Sequence, residues 1–145
     1  PALADMARAV QARGFAVGLH SAGIYPQRLA QLLPWLDWLA LDIKTDQAGY
    51  DALTGRARSA WPVQVCLEMA LEAGCALECR TTWSPQRLSE ARLLALAQTL
   101  AARGVRHYAV QDERSAPGQP AQGALSEAAQ AQLARSFASF SYRRS

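Results

Sequence analysis

Leu36-Asp37-Trp38-Leu39-Ala40-Leu41-Asp42-Ile43-Lys44 is the stretch on which the fold turns. It is mostly apolar, too short for a helix of ordinary size, and it closes on two charges. Side chains alternate along a strand, so Leu39, Leu41 and Ile43 share one face while Ala40, Asp42 and Lys44 share the other. A strand buried in a parallel sheet is apolar on both faces. This one keeps that pattern only until its carboxyl end. The stretch therefore predicts a parallel strand over Trp35 to Lys44 with a polar site at its carboxyl end, the end where α/β proteins bind ligands.

The chain on either side has the matching alternation. Upstream, Leu3, Met6, Ala7 and Val10 fall on one face of an amphipathic helix from Pro1 to Val10, and Gly14 stops it. Phe15 to Leu19 is a short apolar run read as a strand, followed by a Ser21-Ala22-Gly23 turn. Pro26 opens a second helix, with Leu29, Leu32 and Leu33 inward, and Pro34 closes it. Downstream, Thr45 to Gly55 is a polar loop with a helical turn near Tyr50. A third helix spans about Trp61 to Ala73, stopped by Gly74, and Ala76 to Thr82 is a strand. Ser84-Pro85 opens a fourth helix reaching about Arg103, and Val105 to Gln111 is a fourth strand. Asp112 to Gly123 reads as an exposed loop. Ser126 caps a last helix to about Phe140, and residues 141–145 are expected to be a loose tail.

Strands alternating with helices of this length give βαβ units and a parallel sheet. Right-handed crossovers leave two architectures, an open doubly wound sheet or part of a (βα) barrel. Four strands are few for a closed barrel. The length of 145 residues, half of them hydrophobic, suits one domain. No apolar run reaches the roughly 20 residues that cross a bilayer, and no signal peptide opens the chain. A soluble, cytoplasmic protein with no membrane partner is expected. The net charge of +3 is spread over scattered arginines, which gives no footprint for a nucleic acid. Cys66, Cys75 and Cys79 are too few and too poorly spaced for a metal site and read as small structural thiols.

The other strands repeat the asymmetry of the central one. Ala16, Gly18 and His20 share a face in the first strand, Glu78, Arg80 and Thr82 in the third, and His107, Ala109 and Gln111 in the fourth. Buried charge is costly unless it is paired or bound to a ligand. Polar groups on four strands at one rim therefore mark a ligand cavity. The plainer alternative is a pair of rim ion pairs, Asp42 with Lys44 and Glu78 with Arg80. His107, deeper in its strand, reads as structural, and Trp35, Trp38, Trp61 and Trp83 read as packing. There is no dinucleotide fingerprint, phosphate loop, nucleophile elbow or His-x-x-x-His zinc pair.

These segments, in this order, resemble the glycyl-radical activating enzymes of the radical S-adenosylmethionine family. Gly14-Phe15-Ala16-Val17-Gly18-Leu19-His20-Ser21-Ala22-Gly23 is similar to their strand and turn G-hydrophobic-x-V-x-L-D-T-N-G. Leu36 to Lys44 is similar to L-D-x-hydrophobic-x-hydrophobic-D-hydrophobic-K, and Tyr50-Asp51-Ala52-Leu53-Thr54-Gly55 to the Y-x-x-L-T-G that follows. Arg80-Thr81-Thr82 resembles the arginine strand. Gln111, closing Tyr108-Ala109-Val110-Gln111, resembles the branch that activates anaerobic ribonucleotide reductase.

The resemblance implies a partial (βα) barrel, here a fragment with about four strands over residues 1–140. It implies S-adenosylmethionine as cofactor, held by Asp42, Lys44, Arg80 and Gln111 with His20 and Ser21 beside them. It also implies a [4Fe-4S] cluster in a longer parent, an electron donor, and a glycyl-radical enzyme as partner, anaerobic ribonucleotide reductase by the Gln111 signature. The cluster motif C-x3-C-x2-C and the G-G-E-P segment are missing, so the chain is expected to be a C-terminal part that is inactive alone. His20-Ser21-Ala22 replaces D-T-N, which removes an aspartate that some activating enzymes use for a cation. Two alternatives stay open: a radical enzyme acting on a small molecule or another glycyl-radical partner, and a vestigial barrel that only binds.

Overall fold

The computed structural model describes residues 2–114 and 123–144. Its helices are α1 (Ala2–Gln11), α2 (Pro26–Leu32), α3 (Tyr50–Thr54), α4 (Ala60–Glu72), α5 (Glu90–Ala102) and α6 (Glu127–Ser136). Its strands are β1 (Gly18–Ser21), β2 (Trp38–Asp42), β3 (Ala76–Trp83), β4 (His107–Asp112) and β5 (Ser139–Arg143). The strands form one sheet in the order β1-β2-β3-β4-β5, and every pairing is parallel. A doubly wound sheet needs a point where the strand order reverses. None occurs here, so each crossover steps the same way around and the sheet is an arc of a (βα) barrel.

One face of the arc is the core. Leu39, Leu41, Ile43, Leu77, Cys79, Tyr108 and Val110 are buried there. They pack in one cluster with Leu29 of α2, Val63 and Leu67 of α4, Leu93 and Leu100 of α5 and Leu133 of α6. Fully burying one such leucine is worth ~1.5–3 kcal/mol, so this face drives folding. The other face carries His20, Glu78, Arg80, Thr82, His107 and Ser139, which are exposed or half-buried. The periodicity expected from the sequence thus separates a helix-covered apolar face from a concave polar one.

Several expected boundaries shift. The fifth strand was not anticipated: the last helix stops at Ser136, Phe137 is extended, and Ser139–Arg143 pairs with β4. Residues 139–143 of the expected helix end and loose tail are therefore sheet, and the strand count rises from four to five. No glycine or proline marks this stop. Burial of Phe137 against Tyr108, with ring centroids 5.0 Å apart, pulls the chain out of the helix instead. The first strand is regular only from Gly18, and Phe15 is exposed. The helix expected from Ser84 starts later. Ser89 caps it by accepting from the Arg92 amide, while Trp83 Nε1 donates to the Leu88 carbonyl at 2.8 Å and holds the intervening turn. Pro26 and Ser126 act as expected, at the first turn of α2 and as the cap of α6. The loop expected over residues 112–123 lies mostly outside the described residues. Among the described residues, no helix is long and apolar enough to cross a membrane.

Candidate functional site at the carboxyl ends of the strands

Register brings the polar residues together. Asp42 lies beside Arg80, Ala40 beside Glu78 and beside His20, and Thr82 beside Gln111. Both expected ion pairs are made. Lys44 Nζ donates to Asp42 Oδ2 at 2.8 Å, with side chains 43% and 33% exposed. Arg80 Nε donates to Glu78 Oε1 at 2.5 Å, and both of those side chains are 20% exposed. The first pair is wet and contributes little to stability. The second is held tightly on the concave face, where Arg143 of β5 also approaches Glu78, at 3.6 Å.

Two cavities flank Asp42. One, of about 230 Å³, is lined by His20, Ser21, Ala22, Ala40, Asp42 and Arg80. The other, of about 440 Å³, opens between the loops after β2 and β3, with Lys44, Thr45, Leu53, Arg87 and Arg92 among its walls. Four of the residues singled out in the sequence, His20, Ser21, Asp42 and Arg80, therefore share one cavity, and Asp42 and Lys44 share the other. Gln111 lines neither. Its amide donates to Thr82 Oγ1 at 3.0 Å, one row short of the carboxyl ends of β3 and β4. Ser21 Oγ accepts from the Gly23 amide at 3.0 Å and shapes the turn after β1. His107 is the first residue of β4, at the amino end of its strand rather than the carboxyl rim, and bonds Ser139 Oγ at 2.7 Å.

What holds Asp42 and Lys44 in place was not legible beforehand. The Ile43 amide donates to the Arg80 carbonyl at 2.7 Å. The Ile43 carbonyl accepts from Thr81 Oγ1 at 2.7 Å, and Tyr108 OH donates to the same Thr81 oxygen at 2.7 Å. The Lys44 amide donates to Tyr50 OH at 2.9 Å. Thr81, Tyr108 and Tyr50 are buried. Burial pushes the Tyr50 phenol up to about 12 and raises that of Tyr108 further, so both remain neutral hydroxyls. Two charged side chains thus project from a backbone locked by three buried hydroxyls. The loop after β2 is tied separately: Arg92 of α5 grips Asp46 through Nε at 2.8 Å and Nη2 at 2.5 Å. That contact holds the Asp46 carboxyl below the usual carboxylate range.

The thiols face the core. Cys66 and Cys79 are fully buried. Burial pushes them up to about 11 and about 12. Cys66 Sγ donates to the Gly23 carbonyl at 3.3 Å. Gly23 has φ +68°, and a Cβ there would meet Leu41 Cδ1 at 3.0 Å, so the turn after β1 needs glycine both for its conformation and for room. Among the described residues, no group of three His, Cys, Asp or Glu side chains is placed to hold a metal ion. An iron–sulfur cluster does not fit the described residues.

No protein-family model matches the chain, and no curated protein sequence does. Among solved structures it is similar to a domain of pyruvate-formate lyase-activating enzyme from Bacteroides vulgatus, with a TM-score of 0.66. The superposition covers 99% of this chain and 89% of that one, at 13% sequence identity. At that identity the likeness is one of fold, and it establishes the chain as a parallel partial barrel of the architecture found in that domain.

Proposed function

We propose that this chain is the S-adenosylmethionine-binding part of a radical enzyme that activates a glycyl-radical partner. The observation that carries the reading is the open concave face, with Asp42 and Lys44 at the carboxyl end of β2 and Arg80 of β3 beside Asp42, around two cavities. The fold likeness to an activating-enzyme domain supports it, as do the sequence resemblances around His20, Asp42, Tyr50 and Arg80. The chemistry of the donors suits the cofactor. Its methionine end carries a carboxylate, which calls for Lys44 or Arg80, and its ribose carries hydroxyls, which call for an acceptor such as Asp42. Gln111 and Ser21 complete the polar rim in this reading.

Bound here, S-adenosylmethionine would supply the radical chemistry of such an enzyme. The residues of this chain bind and orient it, and the cluster has to come from elsewhere. Residues Tyr108 to Gln111 favour anaerobic ribonucleotide reductase as the partner. Calorimetric titration of the purified chain with S-adenosylmethionine tests the reading. Saturable binding to one site is expected, weakened about tenfold or more by Asp42→Ala and by Lys44→Met, which corresponds to ~1.4 kcal/mol. Absence of binding, or binding that both variants leave intact, overturns it.

A further inference from the structure

From the sequence alone, Trp38 belongs to the packing and His20 to the cofactor. The structure gives both a further set of contacts. Trp38 is paired in register with Gly18, and a Cβ on Gly18 would come 3.2 Å from Cε3 of the Trp38 ring. The missing side chain gives the indole room beside β1. The His20 ring meets this indole edge-on, with centroids 5.1 Å apart and planes at 70°. The Arg80 guanidinium carbon lies 5.3 Å from the centroid of the same ring.

Arg80 and His20 are themselves bonded, Nη1 to Nδ1 at 2.9 Å. A guanidinium only donates, so Nδ1 is the acceptor and the imidazole carries its proton on Nε2. With Nε held by Glu78, the guanidinium is fixed from three sides: a carboxylate, an imidazole and an aromatic face. Its remaining nitrogen, Nη2, has no hydrogen-bond partner among the described residues, and Arg80 lines the 230 Å³ cavity with Ser21 and Asp42. Glu78 is shared between Arg80 and Arg143, so this triplet keeps one net positive charge.

We infer that Trp38 and His20 are positioning residues, which hold Arg80 so that Nη2 is a preformed donor for an anionic group of the ligand, a carboxylate by class. An arginine that is free in solution loses rotamer freedom when it grips an anion; this one has lost it on folding, and the ligand gains the difference. Only the identity of the ligand, S-adenosylmethionine, rests on the function proposed above.

The test has two arms. The first follows the Arg80 Nη resonances by 15N NMR in the protein without ligand. Slow guanidinium rotation is expected in the wild type, in Trp38→Phe, which keeps an aromatic face, and in His20→Asn, which keeps an acceptor. Fast rotation is expected in Trp38→Ala and in His20→Phe, which keeps the ring but loses the acceptor. The second arm titrates S-adenosylmethionine: affinity should drop about tenfold in the two loosened variants and about twofold or less in the two conservative ones. A freely rotating Arg80 in the wild type overturns the inference, as does an Arg80 equally rigid in all variants. Wild-type protein that binds no S-adenosylmethionine while the first arm behaves as expected upholds the positioning and sinks the cofactor reading alone.

Discussion

Cutting the hydroxyl chain beneath Asp42 and Lys44 probes how the site is held. Thr81 is fully buried, donates to the Ile43 carbonyl and accepts from Tyr108 OH, both at 2.7 Å. Thr81→Val keeps the shape and removes both bonds. Loss of the bond to Ile43 costs ~1 kcal/mol, and leaving the Tyr108 hydroxyl buried without a partner costs ~1–3 kcal/mol more, about 2–4 in all. Tyr108→Phe alone loses one bond and leaves Thr81 on Ile43, for ~1 kcal/mol. In the double variant no hydroxyl is stranded, so the cost is ~2 kcal/mol rather than the ~3–5 obtained by adding the singles. Urea unfolding followed by circular dichroism measures the cycle, with the m-value checked for constancy. A coupling of ~1–3 kcal/mol is expected. Strict additivity would show that Tyr108 and Thr81 do not share a hydrogen-bond chain to Ile43, and β2, β3 and β4 would not lock this segment together.

Acid should loosen the loop after β2. The Asp46 carboxyl is depressed by its bonds to Arg92, so its stabilisation is complete above the unfolded value near ~3.9 and is lost as pH falls through the lower folded value. Between about pH 5 and about pH 2, the wild type should therefore lose more urea resistance than Asp46→Asn; parallel losses would refute the assignment. Phe137→Ala should cost ~3 kcal/mol, because Phe137 is buried on Tyr108 at the point where α6 gives way to β5. A cost below about 1 kcal/mol would mean that β5 is not anchored there.

Most of the fold was legible because its signals are local and redundant. Apolar runs between glycine stops mark the strands and helices, and the alternation around Asp42 separates the core face from the concave face. The fifth strand escaped because Ser136 and Phe137 carry no stop signal, and what ends α6 is a tertiary contact with Tyr108. Trp38 read as packing because indoles usually pack. The room for its ring beside β1 depends on the absent side chain of Gly18, a neighbour in space rather than in sequence. The site was legible in part. Asp42, Lys44, Arg80 and His20 announce themselves as charge or imidazole on strands, whereas Thr81, Tyr108 and Tyr50 look like ordinary strand and helix residues. Their role appears only when the register sets their hydroxyls against the backbone of residues 43 and 44. The partition into two cavities also depends on register, since Asp42 belongs to both.

The central claim is that the concave carboxyl rim binds S-adenosylmethionine. Backbone amide NMR during titration with S-adenosylmethionine tests it most directly, because it reports location as well as affinity. The account predicts saturable shifts concentrated at Ser21, Asp42, Lys44, Arg80 and Gln111, with α4 and α5 unmoved on their outer faces. Shifts confined to the helical side, or none at saturating cofactor, would contradict it.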